Sequence, residues 1–488
     1  MPELATELWL KIIEDLPKSA LTTLSLANRY LRTLCEPLLY SNDIVLRPYA
    51  FSSEHAALLV GDDEAAAARA RMEFFCSDRI AALVRVCTIE PWKWVSRPDP
   101  GPLAADPFEI LAIFLRQLPA FMALRDLSLR IEVPSPGEVD LGALPHLKRL
   151  EVDFLSPSTH GTASWHPEPG TILQLESFTY RGPLQSSLVS WAASMKPSAL
   201  HELAIHGSWP PLMDESSVSA IERFTELKKL VFVSYAMSIA DSTLPSLKSF
   251  STLTELTINI RNVYAASLPS DISLPFVHKI TANLLFLPVL LRRATTPRLA
   301  TLHIPLCSNS CLLEMLQALK GCDADPARIK HLVLDLVFDY DFSDMDPFPF
   351  DSLATLIPPF FPHLKTLRMQ LDLHEGYYDL AMSTGGNIIS PRDSLVRGLP
   401  TTLAKLSVTF NFPYLEGDEM DAEALRGVFP GYLPALQMLW YDEKEFLGWW
   451  CRGASGQETC RVESDKDGAK ALRAEFTALH ADFPGANC

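Results

Sequence analysis

The sequence has no long apolar run, no excess of positive charge and none of the common catalytic motifs. No stretch approaches the roughly 18 consecutive apolar residues of a membrane-spanning helix, so we expect no membrane span. The formal net charge of −17 argues against binding to nucleic acid or to an anionic membrane. The first residues are acidic and helical rather than basic and then apolar, so we expect no secretory signal and a cytoplasmic or nuclear protein.

Signatures of metal and cofactor chemistry are also missing. The chain matches none of the patterns of phosphate-binding loops, dinucleotide-binding loops, hydrolase serines or zinc proteases. Nine cysteines, an odd number without a C-x-x-C pair, favour a reducing compartment. Cys307, Cys311 and Cys322 lie near His303 and His331 in sequence, but their spacing is not that of a zinc finger. We therefore expect no metal, no cofactor and no enzymatic activity.

One acidic segment carries side chains of the kind that bind metal ions or act in catalysis. Six aspartates between residues 335 and 351 alternate with aromatic residues, and such carboxylates could bind a divalent cation or act in acid–base catalysis. The segment lacks the glycine and the final glutamate of a calcium loop. We interpret it as a solvated loop with aromatic anchors, or as a contact surface for a partner protein. An enzyme that uses this loop is the remote alternative.

An internal repeat, L-x-x-L-x-L with close apolar substitutes, runs through most of the chain. Its clear copies are Leu124-Leu127-Leu129, Leu147-Leu150-Val152, Leu200-Leu203-Ile205, Leu227-Leu230-Phe232, Leu253-Leu256-Ile258, Leu299-Leu302-Ile304, Ile329-Leu332-Leu334, Leu364-Leu367-Met369, Leu403-Leu406-Val408 and Leu436-Leu439-Tyr441. Weaker copies are Leu175-Phe178-Tyr180, Val277-Ile280-Ala282 and Val84-Cys87-Ile89.

The repeat predicts a stack of short parallel strands. Its last two apolar residues alternate, so they point to one face of a strand, and a strand buries that face only by stacking on its neighbours. The residue between them, such as Ser128, His303 or Trp440, points to the other face. Segments with helical spacing lie between the copies, such as Pro107 to Leu118, Ser186 to Met195 and Ser216 to Phe224. A proline precedes many of the copies. The pattern predicts an α/β fold; a compact domain whose βα alternation is not a true repeat is the alternative.

The first 45 residues read as three short helical segments separated by breakers. Leu8 and Ile12 fall on one helical stripe. Pro17 ends the first helix, Ser19 can cap the second, and we expect the third to stop before Pro37. A unit this small exposes apolar surface unless the rest of the chain or a partner covers it. The alternative interpretation is an ordinary N-terminal helical hairpin whose apolar surface packs on the body of the protein.

The order of these N-terminal residues resembles the F-box found at the start of many fungal proteins. One difference is Ala5, where that family usually has proline. The repeats resemble the irregular leucine-rich-repeat region that follows many F-boxes. The resemblance implies a small three-helix F-box-like head (residues 1–47), a helical connector (48–120), an irregular leucine-rich-repeat solenoid with a parallel β-sheet, elongated and curved (121–445), and a C-terminal loop with a capping helix (446–488).

The resemblance also implies a function. A protein of this kind is the substrate receptor of a Skp–cullin–F-box ubiquitin ligase, and it works by bringing a protein substrate near a ubiquitin-charged enzyme. The expected adaptor-binding residues are Leu4, Leu8, Ile12, Leu16, Pro17, Leu21, Leu24, Leu38 and Tyr40. The expected substrate-binding residues are aromatic groups at or just past strand ends, namely Tyr340, Phe342, Trp440 and Tyr441. The alternative is a repeat scaffold for protein interactions with no role in ubiquitin transfer.

Overall fold

A computed structural model describes most of the regular structure of the chain. The described residues are 6–41, 44–49, 62–91, 107–130, 140–153, 170–183, 186–208, 215–234, 247–260, 272–308, 323–338, 357–373, 398–410, 430–442, 447–453, 455–463 and 466–479, with four positions between 312 and 319. The chain divides into two compact units, unit 1 (Met1–Phe250) and unit 2 (Ser251–Cys488). Both units are α/β, and their sheets are mostly parallel.

Unit 1 contains seven described strands that pair in the order of the chain, each parallel to the next. The strands are β1 (Ile44–Leu46), β2 (Val86–Ile89), β3 (Asp126–Leu129), β4 (Arg149–Asp153), β5 (Ser177–Pro183), β6 (Glu202–Ser208) and β7 (Lys229–Ser234). The ladder therefore begins well before residue 121, where the repeats were predicted to start. The weak copy Val84-Cys87-Ile89 supplies β2.

Unit 2 contains nine described strands, and β8 to β14 again pair parallel in chain order. They are β8 (Glu255–Ile260), β9 (Lys279–Ala282), β10 (Thr301–Ser308), β11 (His331–Phe338), β12 (Thr366–Leu373), β13 (Lys405–Phe410), β14 (Met438–Asp442), β15 (Leu447–Arg452) and β16 (Glu458–Glu463). The last three, β14, β15 and β16, pair antiparallel.

The register of the sheet is the one that the repeat predicts. Leu127 pairs with Leu150 in unit 1, and Leu406 pairs with Leu439 in unit 2, so equivalent repeat positions face each other on neighbouring strands. The alternating apolar residues of each copy are buried, with Leu203 at 2% exposure as a typical value. The predicted parallel stacking of the copies is confirmed.

Backbone hydrogen bonds tie each repeat to the next at the start of the strands. The carbonyl of Arg125 accepts the N–H groups of Lys148 and Arg149 at 2.7 and 2.9 Å. The same pair of bonds recurs at later repeats. A turn precedes many strands, as where the Leu147 N–H bonds the Leu144 carbonyl at 3.3 Å across Pro145. The prolines thus end one segment and set up the next strand.

Helices occupy several of the segments between strands. The described ones of four residues or more are α1 (Thr6–Glu14), α2 (Lys18–Ala27), α3 (Arg29–Tyr40), α4 (Asp62–Phe75), α5 (Asp78–Ala81), α6 (Pro107–Gln117), α7 (Ser186–Ala193), α8 (Glu215–Glu222), α9 (Leu287–Leu290) and α10 (Lys466–Leu479). The predicted helices Pro107 to Leu118, Ser186 to Met195 and Ser216 to Phe224 agree with α6, α7 and α8 to within a few residues.

Two local predictions for the N-terminal helices were wrong. Helix α3 does not stop before Pro37 but runs through it to Tyr40. Proline removes one backbone hydrogen bond, but the helix buries Leu31 and Cys35, and this packing outweighs the lost bond. Ser19 lies inside α2 instead of capping it, because Pro17 occupies the cap position. The cap that does form belongs to α3, where Asn28 Oδ1 accepts the Leu31 N–H at 2.8 Å.

The C-terminal part also differs from its prediction. Residues 452–468, predicted as a loose loop, include strand β16, and β15 and β16 pair as an antiparallel hairpin. Gly456, in the turn, has φ of +79°, a conformation that favours glycine. The predicted final helix exists as α10, but its Ala469 and Leu472 pack against Trp440 and Leu447. These two residues share the strand face opposite the repeat core, so α10 covers a face of the last strands.

Candidate functional site

Two regions of the described residues combine exposure with an unusual arrangement of side chains. The first is the outer surface of α1, α2 and α3, which exposes Leu8 and Ile12 of the predicted adaptor-binding residues. The second is the strand face of unit 1 that points away from the core.

Helices α1 to α3 share a very small core. Ile13, Leu21 and Cys35 are buried, and half-buried apolar residues, including Leu16, pack against them. Thr6 Oγ1 and the Tyr30 hydroxyl lie 3.0 Å apart, which joins α1 to α3. A core of this size leaves apolar side chains on the outside of the helices.

The apolar exposure of the described residues is concentrated on these helices. Five of the eleven large apolar side chains that are exposed lie between residues 8 and 30. They are Leu8, Leu10, Ile12, Leu26 and Tyr30. Leu8 and Ile12 are 52% and 49% exposed, and their spacing places them on one face of α1. We name Leu8, Leu10, Ile12, Leu26 and Tyr30 the exposed apolar set. Of this set, only Leu8 and Ile12 belong to the adaptor-binding residues predicted from the sequence.

The other predicted adaptor-binding residues have mixed positions. Leu4 lies outside the described residues, Pro17 is exposed and Leu21 is buried. Leu16, Leu24, Leu38 and Tyr40 are half-buried.

Tyr40 joins α3 to the following helix. Its ring packs edge-on against Phe74 and Phe75 of α4, with ring centroids 5.7 and 5.9 Å apart. Glu36 of α3 also pairs with Arg79 of α5 at 2.9 Å. These contacts fix the C-terminal end of α3 to the rest of unit 1. Tyr40 therefore holds α3 in place within this chain.

The predicted substrate-binding residues are not brought together as an exposed face. Tyr340 and Phe342 lie outside the described residues, so their prediction stays untested. Trp440 is 7% and Tyr441 is 1% exposed, so the expectation that they are solvent-exposed anchors is wrong. Trp440 points away from the repeat core as predicted, but α10 covers it. Tyr441 alternates to the opposite face and fills the core. The sequence places further aromatic residues at or just past predicted strand ends, and these lie outside the described residues: Trp209, Tyr235, Tyr264, Phe412 and Tyr414.

The strand face of unit 1 carries a polar centre. Glu151 on β4 accepts a hydrogen bond from the Ser128 hydroxyl at 3.0 Å. It also accepts bonds from Arg130 Nη2 and Arg181 Nε, each at 3.2 Å. One half-buried carboxylate thus orients two guanidinium groups that remain partly exposed. We name Ser128, Arg130, Glu151 and Arg181 the Glu151 cluster.

Opposing effects set the pKa values in this cluster. Burial raises the pKa of Glu151, but Arg130, Ser128 and Arg181 outweigh it, so the pKa is lower than usual. Burial raises the pKa of Asp153, although Arg181 acts against the shift. Burial, followed by the charge of Arg181, lowers the pKa of His206 to about 4. At neutral pH the face therefore presents anionic Glu151 between two cations and a neutral imidazole.

A shallow depression of about 210 Å³ lies beside the cluster on strands β2 to β5. Its lining combines small polar residues, among them Thr88, Ser128 and Thr179, with the charged residues Asp126, Arg149 and Glu151. The repeat predicts that these residues face away from the core, but only the pairing of the strands shows that Ser128 and both arginines meet at Glu151. The arrangement suits a ligand that offers hydrogen-bonding groups and charges of both signs.

The histidines considered for metal binding have other partners. His303 Nε2 lies 2.8 Å from Asp335 Oδ2, and its Nδ1 lies 3.4 Å from Thr281 Oγ1. His331 Nδ1 lies 3.1 Å from Thr366 Oγ1. Within the described residues, no three His, Cys, Asp or Glu side chains form a group able to hold a metal ion. No helix within the same residues is long and apolar enough to cross a membrane.

A scan against protein-family models finds no match to the chain. A search of the curated proteins finds no match either.

Proposed function

We propose that the protein is the substrate receptor of a Skp–cullin–F-box ubiquitin ligase. The observation that carries the proposal is the exposed apolar set on α1 to α3, in the segment whose sequence resembles an F-box. Leu8 and Ile12 form an apolar face on a helix whose own core is very small. Exposing such an apolar face to water is unfavourable in free energy, and a docked adaptor would bury the face.

The proposed mechanism is proximity. The Skp adaptor, itself bound to a cullin, docks on α1 to α3, and the repeats of the two units hold a protein substrate. Other subunits supply the ubiquitin-charged enzyme, so this chain contributes no catalytic group. The rate gain comes from the raised effective concentration of substrate lysines. We place this activity in the cytoplasm or the nucleus.

The proposal includes the finer architecture. We propose that α1 to α3 form an F-box-like head and that the parallel strands of each unit belong to irregular leucine-rich repeats stacked as a solenoid. The rung-by-rung register of equivalent repeat positions supports this interpretation. Of the described surfaces, the Glu151 cluster best suits a substrate, because charged and hydrogen-bonding groups lie there on rigid strands.

Co-purification with a recombinant Skp adaptor tests the proposal. Leu8→Asp combined with Ile12→Asp should weaken adaptor binding by about 2 kcal/mol or more, because both side chains would lie in the centre of the contact. Met122→Asp is the matched control, since Met122 is also 52% exposed but lies in the repeat region. Unchanged binding of the double variant would refute the proposed docking face.

Failure of the wild-type chain to bind any Skp adaptor would favour the other candidate function, a repeat scaffold without a role in ubiquitin transfer. The strand face of unit 1 supports the scaffold function equally well, because a scaffold needs no adaptor. Pull-down of the adaptor with the full chain therefore separates the two functions.

A further inference from the structure

Strands β14 and β15 share an apolar face that points away from the repeat core. Trp440 of β14 pairs with Trp449 of β15, and Asp442 pairs with Leu447. Met438 lies on the same face, because alternate residues of a strand share a side. We name Met438, Trp440, Leu447 and Trp449 the tryptophan face. On the earlier strands of unit 2, the position equivalent to Trp440 is mostly polar, with Thr257, Thr281, His303, Arg368 and Ser407.

Helix α10 covers the tryptophan face through a small contact. Ala469 and Leu472 pack against Trp440 and Leu447. Among residues 467–473, the part of α10 whose burial is described, only Ala469 and Leu472 are buried. The other two residues of the tryptophan face pack against the same cluster but stay half-buried. The helix therefore leaves part of the apolar face accessible to water.

One ion pair sets the direction of this helix. Arg473 Nε lies 3.0 Å from each carboxylate oxygen of Asp442. Ala469, Leu472 and Arg473 are spaced i, i+3 and i+4, so they lie on one side of α10. The Arg473 side chain is 35% exposed, and water therefore competes with the pair. An apolar stripe of this spacing is also how a separate amphipathic helix binds in a groove.

The hairpin of β15 and β16, rather than α10, closes the end of the strand ladder. It extends the sheet past β14 and pairs with the edge that the last parallel strand would otherwise expose. A terminal repeat needs a cap of this kind. Helix α10 lies on a face of the sheet and not at its edge. Its release would therefore uncover the tryptophan face without breaking the pairing of the strands.

We propose that the tryptophan face is a docking site for an amphipathic helix of a partner protein, and that α10 occupies this site until the partner displaces it. The contacts of α10 define the chemistry of the partner helix. It carries two apolar residues three positions apart, and the second is followed directly by an arginine that reaches Asp442. Tryptophan is enriched among the residues that dominate binding at protein interfaces, and the face offers two.

The attachment of α10 to the chain makes the site regulated. Only residues 464 and 465 separate β16 from α10 in the sequence, so α10 competes with any partner at a high effective concentration. A partner helix binds weakly while α10 is in place and tightly once α10 is released. This interaction needs neither the adaptor nor ubiquitin transfer, and it goes beyond the proposed ligase function.

Fluorescence anisotropy with the full-length chain tests the proposal. The probe is a labelled synthetic peptide of residues 466–479, which is α10 itself. Leu472→Asp in the chain should raise the affinity for this peptide on the order of tenfold or more, because the internal competitor is weakened. Adding Asp442→Asn to that variant should lower the affinity about two- to fivefold, because the ion pair with the arginine of the peptide is lost.

Two controls make this outcome specific. Ala471→Asp adds the same charge at the neighbouring, exposed position of α10 and should leave the affinity for the peptide within about twofold of the wild type. A peptide that itself carries Leu472→Asp should not bind. Equal affinity of the wild-type and Leu472→Asp chains for the unmodified peptide, or binding of the altered peptide, would overturn the proposal.

Amide hydrogen exchange of the wild-type chain gives a second test that needs no variant. The amides of α10 should exchange faster than those of β14, because α10 leaves the face by local opening. Equal protection of α10 and β14 would show that the helix leaves only on global unfolding, and would overturn the proposal.

The oligomeric state separates a partner from a second copy of the chain. A wild-type dimer that becomes a monomer on Leu472→Asp would overturn the proposal in favour of α10 from a second copy as the occupant. Adaptor co-purification should be the same for all these variants, so failure here is distinct from failure of the proposed function.

Discussion

Arg473 of α10 holds both carboxylate oxygens of Asp442 on β14, with Nε 3.0 Å from each. This hydrogen bonding raises the pKa of Arg473 above its usual value. The pair lies beside the contact of Ala469 and Leu472 with Trp440. It therefore orients α10 across the face of the last parallel strand, where the repeat alone would leave a tryptophan in water.

We expect Trp440→Ala to lower the free energy of unfolding by about 3–5 kcal/mol, because it removes a large buried side chain beneath α10. Arg473→Ala should cost only about 1 kcal/mol, since its guanidinium is partly exposed. Urea denaturation measures both. Phe276→Ala is the control, because Phe276 is 46% exposed and should have a small effect. A Trp440→Ala variant as stable as the wild type would contradict the packing of α10 on Trp440.

We expect Glu151→Gln to lower stability by about 1 kcal/mol, because it removes the charge that orients Arg130 and Arg181, and both arginines can regain water. The folded-state pKa of Glu151 is lowered, so its stabilisation is complete above the unfolded pKa of about 4.3 and is lost as pH falls through the folded value. The Glu151→Gln variant should lack this loss of stability at acidic pH. Thermal melts of the variant and the wild type over a range of acidic pH values measure the difference.

Glu176→Gln is the matched control for Glu151. Glu176 pairs with Lys148 in an exposed position, and surface ion pairs contribute little, so this variant should behave like the wild type. Equal effects of the two substitutions would show that the Glu151 cluster has no special role in stability.

His206 should make stability depend on pH in a higher range. Its folded pKa of about 4 lies below the unfolded value of about 6.5, so the unfolded chain binds more protons between these values. The contribution of His206 to the free energy of unfolding is fully present above pH of about 6.5 and falls as the pH drops towards 4. Because the side chain is partly exposed, we expect a loss on the order of 1 kcal/mol. A His206→Gln variant should melt with a flatter pH dependence, and identical slopes would refute the assignment.

Three buried thiols of unit 1 should resist alkylation in the folded protein. Burial raises the pKa of Cys76 to about 12, and burial also raises the pKa values of Cys35 and Cys87. The reactive thiolate is therefore scarce and inaccessible. Half-buried Cys451 and Cys460 should be modified before these three thiols when iodoacetamide labelling is mapped by mass spectrometry. Labelling of the unfolded chain is the control, and rapid labelling of Cys87 in the folded state would contradict its burial.

The repeat pattern alone predicted which strand residues are buried and how they pair. Leu127 and Leu150, or Leu406 and Leu439, occupy the same position of the unit, and alternation along a strand leaves one register in which all of them reach the core. The helices α6, α7 and α8 follow from helical spacing between the copies. These features are local or periodic, so the sequence was sufficient to place them.

The tertiary structure decided what covers each surface. Alternation shows that Trp440 points away from the repeat core, but it cannot show that a helix from residues 466–479 returns to bury it. The continuation of α3 through Pro37 depends in the same way on packing around Cys35, and the meeting of Arg130 and Arg181 at Glu151 depends on the pairing of three strands. Each of these outcomes joins residues distant in sequence, and their free energy comes from contacts that no local pattern contains.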